Sequence, residues 1–293
     1  MVLTTDALVE GTHFRMGWEP PPALGRRALR INVSDVAAMG AVPRAALVAI
    51  EAPADLPVRV LDGIMRGLVA DARRLAVAVV GGNVAAGPHL ALTVTLIGET
   101  GPRLLRRRGA RAGDLLFVTG TLGGAAAAVR ALEAGRRVSR PPVPLRVETA
   151  RRLARLATAA IDVSDGLLQD LGHLCRASGV TAEIEAARVP VAPRCRRELG
   201  AEATRFALTA GEDYELLLAI PPRAAGRIGT VGCRLTRIGA LRAGPPAVRL
   251  IDGARSLRVA GWPGFDHFAG RPRDRGGPAA CRPRGSRLRM VAG

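Results

Sequence analysis

Short apolar runs alternate along this chain with stretches of helical spacing. Three runs end the same way, in hydroxyl residues followed by an aspartate: Val2-Leu3 into Thr4-Thr5-Asp6, Ile31-Asn32-Val33 into Ser34-Asp35, and Ile161-Asp162-Val163 into Ser164-Asp165. Each run is brief, rich in β-branched residues and bounded by polar or turn residues, which reads as a short strand. After Asp35 and Asp165 the spacing turns helical, so both aspartates are expected where a strand hands over to a helix. Further strands are predicted over 45–51, 77–80 and 90–97, and helices over 36–39 and 58–75, the first stopping at Gly40. The charged, glycine-punctuated turn over 106–114 divides the chain into an amino-terminal unit, 1–112, and a second unit, 113–269. The second unit should hold strands over 115–119, 181–184, 215–220 and 236–239 and helices over 125–134, 148–156 and 166–177, with a rigid proline-rich linker over 140–144. The fold class expected is α/β of the α+β type, with mixed sheets flanked by helices in two domains.

Composition narrows the function. Hydrophobic residues make up 48% of the 293 positions but aromatics only 3%, so the core must be built from Ala, Val and Leu. A net charge of +18 would ordinarily direct attention to nucleic acid. All 43 basic residues are arginines, however, a bias that a GC-rich genome imposes on codons whatever the function. The arginines are scattered and few aromatics are interleaved to stack bases, so no nucleic-acid partner is expected. The tail over 270–293, rich in Arg, Pro and Gly, offers little to bury and is expected to be disordered. Four cysteines without metal-type spacing read as reduced thiols. The longest apolar stretch is cut by Gly81-Gly82-Asn83 and Gly87-Pro88, which excludes a membrane span and points to a cytoplasmic protein.

The repeated hydroxyl–aspartate pattern carries the chemistry. Carboxylates held on strand ends and converging on one place repel one another unless a hard cation lies between them, and Mg²⁺ takes such oxygen ligands together with phosphate oxygens. Ser-Asp before a helix is equally an N-cap signal, and Thr4, Thr5 and Asp6 would also serve as a polar strand end. Asp162 tilts the balance, because it lies inside an apolar strand where an unpaired charge is costly. Gly81-Gly82-Asn83 reads either as a tight turn or as a close backbone approach to phosphate. Arg107 reads as an exposed charge or a phosphate clamp, and the Gly120–Gly124 loop as a helix entry or a weak phosphate cradle. Gly211-Glu212-Asp213-Tyr214-Glu215 sets three acids around the single tyrosine. No Ser–His–Asp or Cys–His arrangement indicates covalent catalysis.

These segments resemble a known family. Thr5-Asp6-Ala7-Leu8-Val9-Glu10-Gly11-Thr12-His13-Phe14, Asn32-Val33-Ser34-Asp35, Ile161-Asp162-Val163-Ser164-Asp165-Gly166-Leu167, Gly211-Glu212-Asp213-Tyr214-Glu215 and Gly264-Phe265-Asp266-His267-Phe268 follow in the order seen in thiamine-monophosphate kinases. Those enzymes belong to the superfamily resembling aminoimidazole-ribonucleotide synthetase. The resemblance implies a two-domain homodimer that uses ATP and several Mg²⁺ ions to phosphorylate thiamine monophosphate to thiamine diphosphate. By motif, Thr4, Thr5, Asp6, Asp35, Asn83, Asp162 and Asp165 would hold metal. Gly82, Asn83, Arg107 and Ser164 would bind ATP, and His13, Glu212 and Phe265 the thiamine moiety. Two departures stand out. Family members carry a Gly-Asp-Asp segment ahead of the first strand, where this chain starts at Met1, and commonly an aspartate where it has Asn83. The alternatives are a weak nucleotide-binding remnant, or another ATP enzyme of the superfamily of the hydrogenase-maturation or selenophosphate type.

Overall fold

The computed structural model describes residues 1–253, 255–257, 259, 262 and 264; Phe265 and the basic tail lie outside them. The first sheet is built from β1 (Val2–Val9), β2 (Ala41–Ala52), β3 (Ala78–Ala86) and β4 (Ala91–Thr100). Its order is β1-β4-β2-β3, with β4 antiparallel to β1 and β2, and β3 parallel to β2. Alternation along β4 buries Leu92, Val94 and Leu96 on one face, and β2 likewise buries Ala46, Val48 and Ile50. These residues share a core with Leu24, Ala28 and Ile31 of α1 (Pro21–Ala38) and Ile64 and Leu68 of α2 (Val58–Arg74). The two helices touch backbone to backbone. A Cβ at Gly25 would lie 1.9 Å from the Ile64 carbonyl oxygen, and one at Gly67 1.9 Å from that of Pro22, so only glycine fits either place. The other face of the sheet is open, with Leu3 and Leu47 exposed, and every residue of the edge strand β3 is exposed.

The second sheet comprises β5 (Leu115–Thr119), β6 (Ala159–Val163), β7 (Thr181–Glu185), β8 (Glu215–Ile220), β9 (Leu235–Arg242), β10 (Ala247–Asp252) and β11 (Arg255–Leu257). Their order is β11-β10-β7-β9-β5-β8-β6. The helices of this half are α3 (Gly124–Glu133), α4 (Val147–Leu153), α5 (Leu167–Ser178), α6 (Pro193–Leu199), α7 (Ala203–Thr209) and the single turn α8 (Pro222–Ala225). On one face Leu116, Val118, Ile161 and Leu217 pack with Leu171 and Leu174 of α5, Cys195 of α6 and Leu208 of α7. On the other, Phe117, Leu216 and Leu218 pack with Ala150 and Leu153 of α4 and with Ala37 and Ala38 at the end of α1. Helix α1 therefore belongs to both cores, which carries its Ser34 and Asp35 up to β6. The mixed α/β class with two helix-flanked sheets is as expected.

Three local expectations are corrected. Residues 31–33 are not a strand but lie within α1. That helix is buried by α2, α4 and both sheets on nearly every side, so the polar stripe that betrays helical periodicity is missing and Ile-Asn-Val mimics a strand. Thr4-Thr5-Asp6 sits in the middle of β1 rather than at its end. Gly81-Gly82-Asn83 lies inside β3, where β2 carries a register shift between Ala46 and Leu47. A Cβ at Gly82 would come within 1.9 Å of the Val48 carbonyl oxygen, so this glycine is needed for strand-to-strand approach. Cys175, Cys195 and Cys233 are free thiols, and burial pushes Cys175 and Cys195 up to about 11. Among the described residues no helix is long and apolar enough to cross a membrane.

Candidate active site

Strand β1, helix α1 and strand β6 converge on one cavity of about 490 Å³, lined among others by Thr4, Asp35, Arg107 and Asp162. Neighbouring side chains of α1 diverge by about 100° around the helix axis, so Ser34 and Asp35 reach different strands. Thr4 Oγ1 donates to Asp35 Oδ2 at 2.6 Å, and Ser34 Oγ donates to Asp162 Oδ2 at 2.7 Å. The second bond joins the two halves of the chain at the carboxylates themselves. Thr4 and Asp6 share a face of β1, since side chains alternate along a strand.

Burial, then the charges of Asp35 and Asp165, push Asp6 up to about 6. Burial, then Asp35 and Asp6, push Asp162 up to about 7, against the pull of the Ser34 hydrogen bond. Asp35 is also raised by burial, opposed by the Thr4 hydroxyl and the Arg107 guanidinium. Four carboxylates thus lie within electrostatic reach of one another, with Arg107 the cation that opposes them at Asp35. The donor set is all oxygen and rich in negative charge, which fits a hard divalent cation and gives nothing to a soft one.

Loop geometry completes the site. Strand β6 ends at Val163, and Ser164-Asp165-Gly166 leads into α5, whose N-cap is Gly166 at φ 119°. Asp165 is therefore not the N-cap. Instead Asp170, one turn into the helix, accepts the N–H groups of Ser164, Asp165 and Gly166 on one oxygen, each at 3.1 Å. Burial, then Asp162 and Asp165, push Asp170 up to about 8. Asp165, Asp170 and His173 bring ligand atoms within 4.8 Å of one another, but Asp170 is already committed to the loop.

The Gly211–Glu215 segment closes the other side. Glu212 N–H donates to the Ser164 carbonyl and Tyr214 N–H to that of Val163, both at 2.8 Å. Glu212 and Tyr214 adopt φ of 68° and 50°, a left-handed conformation costly for side chains of this size. Asp213 takes the Gly123 N–H at 2.7 Å, and burial pushes it up to about 8. That bond uses a donor of the Gly120–Gly124 loop internally, so the loop packs on the acidic segment rather than cradling phosphate. Glu215 is structural: Thr119 Oγ1 and Arg146 Nε each donate to its Oε2 at 2.6 Å. The Tyr214 phenol is pushed well up by burial, then by Glu212, Asp6 and Asp162.

His13 lies in a turn after β1, its Nδ1 accepting the Val9 N–H at 3.0 Å, which assigns the ring proton to Nε2. Thr5 faces the open side of the sheet, where Thr95 Oγ1 donates to its Oγ1 at 3.1 Å, so its hydroxyl is turned away from Thr4 and Asp6. Gly82 and Asn83 are not brought to the cluster either. Asn83 is reached from Ala7 across Thr93 and Ala49, three strand spacings or about 14 Å away. Phe265 is outside the described residues, and a Cβ at the preceding Gly264 would meet the Asp165 carbonyl oxygen at 2.6 Å. Sequence reasoning missed Asp170 and Arg140; the contacts of Arg140 are all distant in sequence.

A pH dependence follows from these shifts. Because Asp6, Asp162, Asp170 and Asp213 hold protons more tightly folded than unfolded, the native state binds the excess protons between about pH 4 and pH 8. Their contribution to stability is therefore greatest at the acid end and declines as pH rises through the folded values. Metal-free protein should unfold at a lower temperature at pH 8 than at pH 5. Added Mg²⁺ should raise the midpoint at pH 8 by several degrees and barely change it at pH 5, as calorimetry would show.

The chain matches the AIR synthase related protein N-terminal domain over residues 1–100 and the corresponding C-terminal domain over residues 111–245. It is 34% identical over 287 residues to the thiamine-monophosphate kinase of Salmonella typhimurium, covering 92% of this chain and 87% of that protein. It is 32% identical over 278 residues to the enzyme of the same name from Aquifex aeolicus, covering 90% and 88%. AaThiL complexed with AMPPCP and TMP superposes with a TM-score of 0.81 at 32% identity, covering 91% of this chain and 86% of that one. The Escherichia coli hydrogenase maturation protein HypE shares the fold alone, at a TM-score of 0.75 and 21% identity. The AIR synthase related fold thus defines the class, and within it the chain belongs to the thiamine-monophosphate kinase family.

Proposed function

We propose that this chain transfers the γ-phosphoryl group of ATP to the phosphate of thiamine monophosphate, giving thiamine diphosphate and ADP. The observation that carries the reading is the pair of 2.8 Å bonds by which the Glu212 and Tyr214 N–H groups donate to the Ser164 and Val163 carbonyl oxygens. They hold the segment that would meet the acceptor beside the loop that carries Asp165, which supports a reaction between two phosphorylated anions.

Thr4, Asp6, Asp35, Asp162 and Asp165 would hold Mg²⁺, and Mg²⁺ so bound would screen the two phosphate chains and stabilise charge on the moving phosphoryl group. Arg107 and the Ser164 loop would orient the ATP phosphates. Glu212 would meet the cationic thiamine ring system, with His13 donating from Nε2 and Phe265 offering a ring face. The acceptor phosphate is already ionised at neutral pH, so positioning and charge stabilisation suffice and no side chain need act as general base. A second copy would cover the open face of the first sheet, where Leu3 and Leu47 are 65% and 44% exposed. In such a homodimer Gly82 and Asn83, remote from the carboxylates of their own chain, would serve across the subunit boundary. The ATP-dependent reaction belongs in the cytoplasm.

Ligand-induced stabilisation tests the reading. Thiamine monophosphate, AMPPCP and Mg²⁺ together should raise the unfolding midpoint more than any pair, because each binds only the native state. If thiamine monophosphate shifts the midpoint in no combination, the acceptor assignment is wrong.

A further inference from the structure

Arg140 lies in the proline-rich linker ahead of α4, yet its side chain is fully buried, at 0% exposure. Its Nη1 donates to the His13 carbonyl oxygen and to Glu19 Oε1, each at 3.3 Å, and its Nη2 donates to Glu212 Oε2. Among the described residues its Nε has no partner. Glu19 is in turn gripped by Arg27 of α1, Nε to Oε1 at 2.8 Å, and Arg27 Nη2 returns to the Pro141 carbonyl oxygen at 3.0 Å. One guanidinium thus ties together the turn after β1, the approach to α1 and the acidic segment ahead of β8, which belong to different sheets.

A buried arginine with an unused N–H is a poor device for stability alone. Its desolvation is repaid only by well-placed partners, and an apolar replacement of the same volume would serve packing as well. What a planar fork supplies is geometry, since it fixes several acceptors relative to one another. Here the groups it fixes are those that the proposed acceptor site uses. Glu212 has one oxygen pinned by Arg140, while its side chain stays 27% exposed, so the carboxylate still faces a ligand. The left-handed backbone at Glu212 and Tyr214 needs surroundings that over-determine it, and the Arg140 contact is one such restraint.

We propose that Arg140 is a positioning residue for the acceptor substrate, setting the distance between the His13 turn and Glu212 so that the thiamine ring system fits between them. This rests on the kinase reading above. Lysine at this position keeps the charge but cannot span three acceptors in a plane. Calorimetric titration of Arg140→Lys should show the Kd for thiamine monophosphate raised about 10-fold or more, with the Kd for AMPPCP in Mg²⁺ changed less than about twofold. Equal weakening of both ligands, or no change in either, would overturn the proposal. Glu19→Gln frees the other end of the clamp and carries the test should Arg140→Lys not fold. It should raise the thiamine monophosphate Kd by about threefold with AMPPCP binding intact, and a folded Glu19→Gln protein with unchanged thiamine monophosphate binding would overturn the proposal. Wild-type protein that binds AMPPCP but not thiamine monophosphate would remove the kinase reading and this inference with it. Wild type that binds both, beside an unaffected Arg140→Lys, would remove the inference alone.

Discussion

Replacing Asp165 with asparagine is expected to lower turnover by about a thousandfold, the scale of losing a main electrostatic contact to the transition state, while leaving the fold nearly as stable. The expectation comes from how the loop is held. Its N–H groups are collected by Asp170, and its Ser164 carbonyl by the Glu212 N–H, so the backbone around Asp165 does not depend on the Asp165 carboxylate. Gln169 Nε2 donates to Asp165 Oδ2 at 3.1 Å, a bond that an amide oxygen also accepts. What asparagine cannot supply is the negative charge that faces Asp6 and Asp170. Steady-state kinetics and thermal unfolding on the same preparation check this. Parallel loss of activity and stability would mean that Asp165 is a structural residue.

The second large effect has an unusual sign. Asp162→Asn should reduce turnover by about a hundredfold or more and yet raise the unfolding temperature of the metal-free protein at pH 8. Asp162 is buried, and its ionised form is disfavoured first by burial and then by Asp35 and Asp6. An amide of the same shape still accepts the Ser34 hydroxyl bond but carries no charge to desolvate. Stability held down to keep a charge where chemistry needs it is the expected signature of a functional group. The gain should disappear at pH 5, where wild-type Asp162 is already protonated, and Mg²⁺ should stabilise the variant less than the wild type. Unfolding scans at the two pH values with and without Mg²⁺ decide the matter, and a variant destabilised at pH 8 would place Asp162 among the structural residues.

How far the sequence alone could reach depended on the kind of contact. Ser164-Asp165 was legible because Gly166 and the apolar spacing of α5 mark the strand-to-helix passage locally. Ser34-Asp35 reads as the end of a strand but lies within α1, since a helix buried on nearly every side loses the polar stripe that identifies it. The period of two along β1 already separates Thr4 and Asp6 from Thr5, but only once the strand is known to run on to Val9. Asn83 shows the limit for sheets, because strand order puts it three strands from β1 and no local pattern encodes order. Arg140 shows the limit for side chains: its partners His13, Glu19 and Glu212 are brought to it only by docking the linker onto α1.

Turnover measures directly whether the carboxylate cluster and the acceptor corner act together. The chain should be incubated with ATP labelled in the γ-phosphate, Mg²⁺ and thiamine monophosphate, and the products separated. Kinase activity predicts label in thiamine diphosphate, with ADP released in equal amount and only when thiamine monophosphate is present. Label appearing solely as inorganic phosphate, at a rate indifferent to thiamine monophosphate, would contradict it.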